Sequence, residues 1–294
     1  MRKLVKNSSL IFLIVCVILL LLAFGLGLYI HRTLEDAAKE ELPFFQSIQM
    51  GLTLNLEREN ERQLKEVRLK KAYHHITIYY PDDYAELLPL TKETLDWAIR
   101  KNEEIFGLIN APSVDIIVME DKDELRNASG LTDISGFYSD SDKLIAIGYN
   151  DKEGILEKRE TSLYFFQKSI LHEYTHYSFS RMVDGAKFGI SAYPTWFVEG
   201  IAEYIGNDQT NVEYSGFKLV PFSQLISPEQ WQTARFQDGT EVYYQSYFAI
   251  KYLTDRYGEG VLSDIIQETN ETGDFEASFV EVTRMSIEDL ENFF

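Results

Sequence analysis

This sequence predicts an α+β fold, with a small N-terminal mixed sheet plus helices and a mostly helical C-terminal lobe. The β-rich runs lie early, at 76–80, 114–119 and 136–148. The stretch 161–182 is apolar on two opposed faces at helical spacing, the pattern of a helix covered from both sides. Beyond Gly206 the chain is helical again over 223–231, 240–257, 260–269, 275–282 and 286–294.

The chain opens with Arg2, Lys3 and Lys6 and then runs from Leu10 to Ile30 without a charge. As a helix rising about 1.5 Å per residue, that run spans the roughly 30 Å hydrocarbon layer, and the basic residues before it hold the N-terminus in the cytoplasm. Residues 1–9 are thus expected as a cytoplasmic tail and 10–30 as a single-pass anchor in the cell membrane, with the rest extracytoplasmic. A cleaved secretory signal is the alternative, but its apolar region is usually about 7–15 residues and ends at an Ala-x-Ala-like site, which is missing before His31-Arg32. Residues 31–72 are rich in Glu, Arg, Lys, Leu and Gln, with an uninterrupted helix-forming run over 52–72, and read as a helical stalk or linker. Leu56, Leu64 and Val67 are too sparse for a coiled-coil seam, which leaves the oligomeric state open.

Residues 73–294 are expected to form one domain. Ile76-Thr77-Ile78-Tyr79-Tyr80 reads as a strand stopped by Pro81, 84–106 as an amphipathic helix closed by Gly107, and 114–119 as an interior strand. A polar turn or short helix through Asn127 and Gly130 leads to two short strands between Gly136 and Gly148, around an Asp/Ser turn. The helix over 161–182 carries Leu163, Phe166, Ile170, Tyr174 and Tyr177 on one stripe and Phe165, Ser169, His172 and His176 nearly opposite. It is expected at the centre, one side on the sheet and the other facing a cleft.

Composition narrows the function. The single cysteine, Cys16, lies in the apolar run, so the remainder contains no disulfide and depends on its core; 45% hydrophobic and 14% aromatic residues suffice for one. Acidic residues outnumber basic ones by 47 to 28, which argues against nucleic acid and against broad attraction to anionic lipid headgroups.

The chemistry lies in His172-Glu173-Tyr174-Thr175-His176, followed by Trp196-Phe197-Val198-Glu199-Gly200-Ile201-Ala202-Glu203. Residues four apart share a helix face, so His172 and His176 can aim two imidazoles at one cation. Glu173 sits about 100° round the helix, suited to acting on a water beside that cation as general base. Catalytic zinc takes three protein ligands, and Glu199 is the candidate third donor. Gly185, Gly189 and Pro194 let the first helix end and a second begin, on which Glu199 and Glu203 share a face. The carboxylate not on the metal, assigned to Glu203, can accept the free ring N–H of a ligating histidine.

His-Glu-x-x-His followed by Trp-x-x-Glu-Gly-x-Ala resembles the gluzincin metallopeptidases, specifically the peptidase-MA-like branch related to aminopeptidases and thermolysin. The resemblance covers roughly 73–294, with most of its specificity in the two helices. It implies a zincin-like, thermolysin-like fold, one zinc per chain held by His172, His176 and Glu199, and Glu203 as the acidic residue one turn later that supports a zinc histidine. It also implies that one strand of 136–148 borders the cleft and pairs with an extended peptide; an ordinary hairpin is the competing reading. In such peptidases a tyrosine or histidine often stabilises the oxyanion, and the spacing in Tyr243-Tyr244-Gln245-Ser246 points to Tyr243. With 18 tyrosines in the chain, a buried ring with a satisfied hydroxyl is the alternative at that position.

The expected function is a membrane-anchored, zinc-dependent peptidase with a peptide or protein substrate and no nucleic-acid partner. A catalytically inactive zincin-like scaffold and a zinc hydrolase of a non-peptide amide are the alternatives. The intact Glu173 beside both histidines favours the enzyme.

Overall fold

Five short strands form one mixed sheet in the computed structural model, which describes residues 19, 22–34, 44–45, 47–48, 59–107 and 112–293. The strands are β1 (Leu69–Tyr73), β2 (Ile76–Tyr80), β3 (Val114–Met119), β4 (Gly136–Ser139) and β5 (Leu144–Gly148), in the order β1-β2-β3-β5-β4. β2, β3 and β5 run parallel, while β1 and β4 are antiparallel outer strands. Alternate residues of β3 serve opposite faces: Val114, Ile116 and Val118 join the main core, and Ile117 and Met119 join a smaller cluster with Leu125, Leu144 and Ala146.

The chain divides into two compact units, Met1–Arg62 and Gln63–Phe294. In the first, residues 22–34 are helical, and His31 Nδ1 lies 2.8 Å from Ser47 Oγ. The expected tail at 1–9, much of the apolar run at 10–30 and much of the expected stalk lie outside the described residues. Among the described residues no helix is long and apolar enough to cross a membrane.

One expectation is corrected at the start of the sheet. The helix expected over 52–72 ends at Val67, since α1 covers Glu59–Val67 and Leu69–Tyr73 form β1. Leu-Lys-Lys-Ala favours a helix in isolation, but here it pairs residue for residue with Ile76–Tyr80 through a turn at His74, whose φ is 53°. The hydrogen-bond ladder and cross-strand contacts outweigh a propensity difference of a few tenths of a kcal/mol per residue.

A parallel step from β2 to β3 needs a crossover, supplied by α2 (Leu88–Phe106) after a 3-10 turn at Asp82–Leu87. α3 (Lys122–Ser129) is capped by Asp121, whose carboxylate accepts from Asp123 and Glu124 N–H, and α4 (Lys152–Leu156) by Asp151. The central helix α5 (Glu160–Val183) packs on β4 and β5, on α2, and on α6 (Thr195–Gly206). Phe166, Ile170, Tyr174 and Tyr177 are buried and His172 and His176 line a cavity, matching the two stripes read from sequence. Arg181, five residues beyond His176, pairs with Asp140 in the β4–β5 turn and with Asp184, tying the edge hairpin to α5.

The C-terminal lobe holds α7 (Pro228–Arg235), α8 (Val242–Tyr257), α9 (Gly260–Thr272), α10 (Phe275–Thr283) and α11 (Ile287–Glu291). The helix expected at 223–231 starts later, because Ser227 and Gln230 form a capping box that fixes its first turn. Trp196 lies against Phe222 with ring centroids 4.3 Å apart, and Phe197 against Phe275 at 4.9 Å, which anchors α6 in this lobe.

α6 and α8 touch at Gly200. A Cβ there would stand 2.8 Å from both Ile250 Cγ1 and Ser246 O, the latter being backbone that cannot rotate away. Gly200→Ala is expected to cost about 1–3 kcal/mol by overpacking, read as a lower midpoint in urea unfolding. An unchanged midpoint would show that the two helices are free to part.

Candidate metal centre

Helix periodicity puts His172 and His176 one turn apart on α5, and the structure brings Glu199 of α6 against both. The two Nε2 atoms are 3.0 Å apart, and Glu199 Oε2 lies 3.5 Å from His172 Nε2 and 3.6 Å from His176 Nε2. These are the three residues, among those described, whose donor atoms fall within 4.8 Å of one another and could hold a metal ion. A tetrahedral ion with donors at about 2.0–2.2 Å separates them by about 3.3–3.6 Å. Two edges of the observed triangle fall in that range, and the imidazole pair sits slightly inside it. Two imidazoles and one carboxylate are also the donor types zinc accepts, so the residues fit such an ion.

Glu203, one turn after Glu199, does different work. Its Oε1 is 3.1 Å from His172 Nδ1 and its Oε2 is 2.8 Å from Lys168 Nζ. An N–H at Nδ1 directed to Glu203 leaves the His172 Nε2 lone pair facing His176 and Glu199. Asn207 Nδ2 also donates to the Glu203 main-chain oxygen at 2.7 Å.

Burial opposes every charge in this group, and the partners decide which survive. Burial works against a charged His172, but hydrogen bonds to Glu199 and Glu203 raise its pKa to about 10 when no cation lies between the donors. A divalent cation supplies the same positive charge, so its binding would expel that proton. Burial likewise opposes the Glu199 carboxylate, yet the charge of His176 and hydrogen bonds from both imidazoles hold it far below the usual range. Glu203 is lowered to about 2 against the same burial, by His172 and Lys168. Glu173 differs: burial dominates and pushes its carboxyl up, although both histidines pull it down. A carboxylate biased toward holding a proton is what a general base beside a cation requires.

Two cavities meet at this point. One of about 1180 Å³ and one of about 400 Å³ share Ile134, Gly136, His172, Glu173 and Tyr243 in their walls. Strand β4 is the sheet edge, and its Gly136, Phe137 and Tyr138 line the larger cavity. Tyr243 of α8 is brought to the centre, its ring 6.3 Å from that of His172. Trp231 meets the Tyr243 ring edge-on at 5.0 Å, and Arg235 stands over it at 5.4 Å. Burial pushes the phenol pKa up and Glu199 adds to the shift, so the hydroxyl keeps its proton.

His74 and His75 lie elsewhere, His74 Nε2 at 3.0 Å from Asp96 and His75 Nε2 at 3.2 Å from the Tyr174 hydroxyl. Three residues at the centre escaped the sequence reading. Lys168 was detectable, because it lies one turn before His172 on the same stripe. Trp231 and Arg235 were not, since nothing in the local pattern says which face α7 turns toward Tyr243.

The Peptidase M9 family, described as Collagenase, matches residues 145–289, which hold the whole donor set. A Bacillus subtilis (strain 168) protein, described as uncharacterized protein YhcO, is 36% identical over 225 residues, covering 76% of this chain and 70% of its own length. Among solved structures, Legionella pneumophila aminopeptidase A in complex with aspartic acid aligns with a TM-score of 0.46 and 12% identity, over 74% of this chain. The alignment spans about a quarter (26%) of that aminopeptidase's length. The chain belongs to the family of the Bacillus subtilis YhcO protein, and its C-terminal half is a Peptidase M9-related, zincin-like metallopeptidase domain.

Proposed function

We propose that this chain is a membrane-anchored, zinc-dependent peptidase that cleaves peptide bonds outside the cytoplasm. One observation carries the chemistry: His172, His176 and Glu199 converge within 4.8 Å, beside a buried Glu173, where two cavities meet. When bound, the ion supplies Lewis acidity to a water and to a substrate carbonyl oxygen.

The remaining work belongs to the protein. Glu173 takes the proton of the attacking water on its carboxylate and returns it to the leaving amine, a shuttle supported by the burial that raises its pKa. Tyr243 donates its hydroxyl proton in a hydrogen bond to the developing oxyanion; its half-buried, protonated phenol and the contacts with Trp231 and Arg235 support that role. Glu203 fixes the His172 tautomer, and Lys168 keeps Glu203 ionised. The apolar run at 10–30 behind Arg2, Lys3 and Lys6 supports an anchor with a cytoplasmic N-terminus.

In a peptide-library assay, a chelator should abolish cleavage by the wild-type chain and zinc should restore it. Glu173→Gln should lose about 10²–10⁴-fold in rate while binding about one zinc per chain, and Tyr243→Phe should lose about 10²–10³-fold in kcat; a Glu173→Gln protein that turns over peptide near the wild-type rate removes the base. For the metal, Glu199→Ala should strip zinc from the purified protein. Glu203→Ala should weaken zinc affinity about 10- to 100-fold by competition with a chromogenic chelator, and swapped results would exchange the two roles. For the anchor, the full chain should stay with membranes after alkaline carbonate extraction, whereas a chain starting at residue 32 should be released; extraction of the full chain would count against it.

A further inference from the structure

Gly136, the first residue of β4, is buried and lies where the two cavities join. Its φ is not among the positive values of the described glycines, so backbone conformation does not demand glycine here. Contact does. A Cβ on residue 136 would stand 2.8 Å from Glu173 Cγ, 3.0 Å from Glu173 Oε1 and 2.7 Å from Ala146 O. Contacts below about 3 Å force displacement, and Ala146 is backbone of β5, held between β3 and β4.

We infer that Gly136 is a positioning residue for the general base: the missing side chain on the edge strand lets the Glu173 carboxylate seat against the β4 backbone. A methyl group there leaves two ways out, rotation of Glu173 away from the strand or movement of β4 off the sheet. Both shift the base relative to His172, His176 and Glu199, none of which is among the atoms nearest that Cβ. Displacement of a proton-transfer group by about 1 Å costs on the order of 10²-fold in rate. The inference rests on the role proposed for Glu173, but the steric contact can be measured without activity.

In the full-length protein, Gly136→Ala is expected to lower kcat about 10- to 100-fold, with KM within about twofold and zinc content at the wild-type level. Placed in the Glu173→Gln background, it should remove no more than about a further twofold of the residual rate, because the base it displaces is already lost; independent effects would multiply. Thermal unfolding gives the second readout. Glu173→Ala deletes the atoms that clash, so the double variant Gly136→Ala/Glu173→Ala should recover part of the midpoint lost by Gly136→Ala, and should fold even if the single variant does not.

Wild-type kcat in Gly136→Ala, multiplicative loss with Glu173→Gln, zinc loss in parallel with kcat, or no thermal recovery in the double variant would each overturn the inference. A wild-type protein without chelator-sensitive cleavage would instead remove the function proposed above, while the thermal coupling of positions 136 and 173 would still report the contact.

Discussion

Charge balance where α5 meets α6 constrains the whole molecule. Glu173, Glu199 and Glu203 are drawn into one poorly solvated group with Lys168 as the cation among them. With neutral imidazoles, three carboxylates against one ammonium leave two negative charges in excess. Removing such charges from water costs several kcal/mol each unless they are paired. A divalent cation cancels the excess, whereas without one the group must keep extra protons, as the raised pKa of His172 shows. The ligand set is therefore a folding problem as well as a catalytic one, and the surrounding packing makes sense as the means of holding it together.

The sheet and the lobe hold opposite sides of this group. Strands β4 and β5 give α5 its bed on the sheet, and Phe166, Ile170 and Tyr174, buried in the main core, fix its rotation and leave His172 and His176 facing the cavity. α6 is held from the other side by the Trp196–Phe222 and Phe197–Phe275 contacts and by the glycine that admits α8. Carboxylate placement within about 0.5 Å requires such rigid support on each helix, because a long Glu side chain does not fix its own position. The edge hairpin is tied in separately, through the Arg181–Asp140 pair, which links the cleft wall to the donor helix.

What the sequence discloses about this site is what a single helix encodes. The spacing of His172 and His176, and of Glu199 and Glu203, follows from 3.6 residues per turn, and the two stripes of α5 announce a helix buried on both sides. The strands at 76–80 and 114–119 were legible because β-branched and aromatic residues dominate them. β1 was not, because Leu69-Lys70-Lys71-Ala72 carries a helical preference that only pairing with β2 overrides. Strand order was hidden for a similar reason: a two-residue period shows that 136–148 contains strands, but not that β5 inserts beside β3 and leaves β4 at the edge. Trp231 and Arg235 belong to contacts between helices distant in sequence, which no local period reports.

One turn of helix separates two carboxylates that behave differently, and the cause is what each one faces. Glu199 meets two Nε2 atoms and no lysine, so its charge is free for a cation between the rings. Glu203 meets Lys168 and the Nδ1 side of His172, so its charge is already committed, and what it contributes is orientation. Were Lys168 absent, Glu203 would add a further uncompensated negative charge beside His172, and the carboxylate would lose the partner that fixes its second oxygen. A lysine at this position thus acts on the donor set without touching it, by holding the supporting carboxylate ionised and in place against His172 Nδ1.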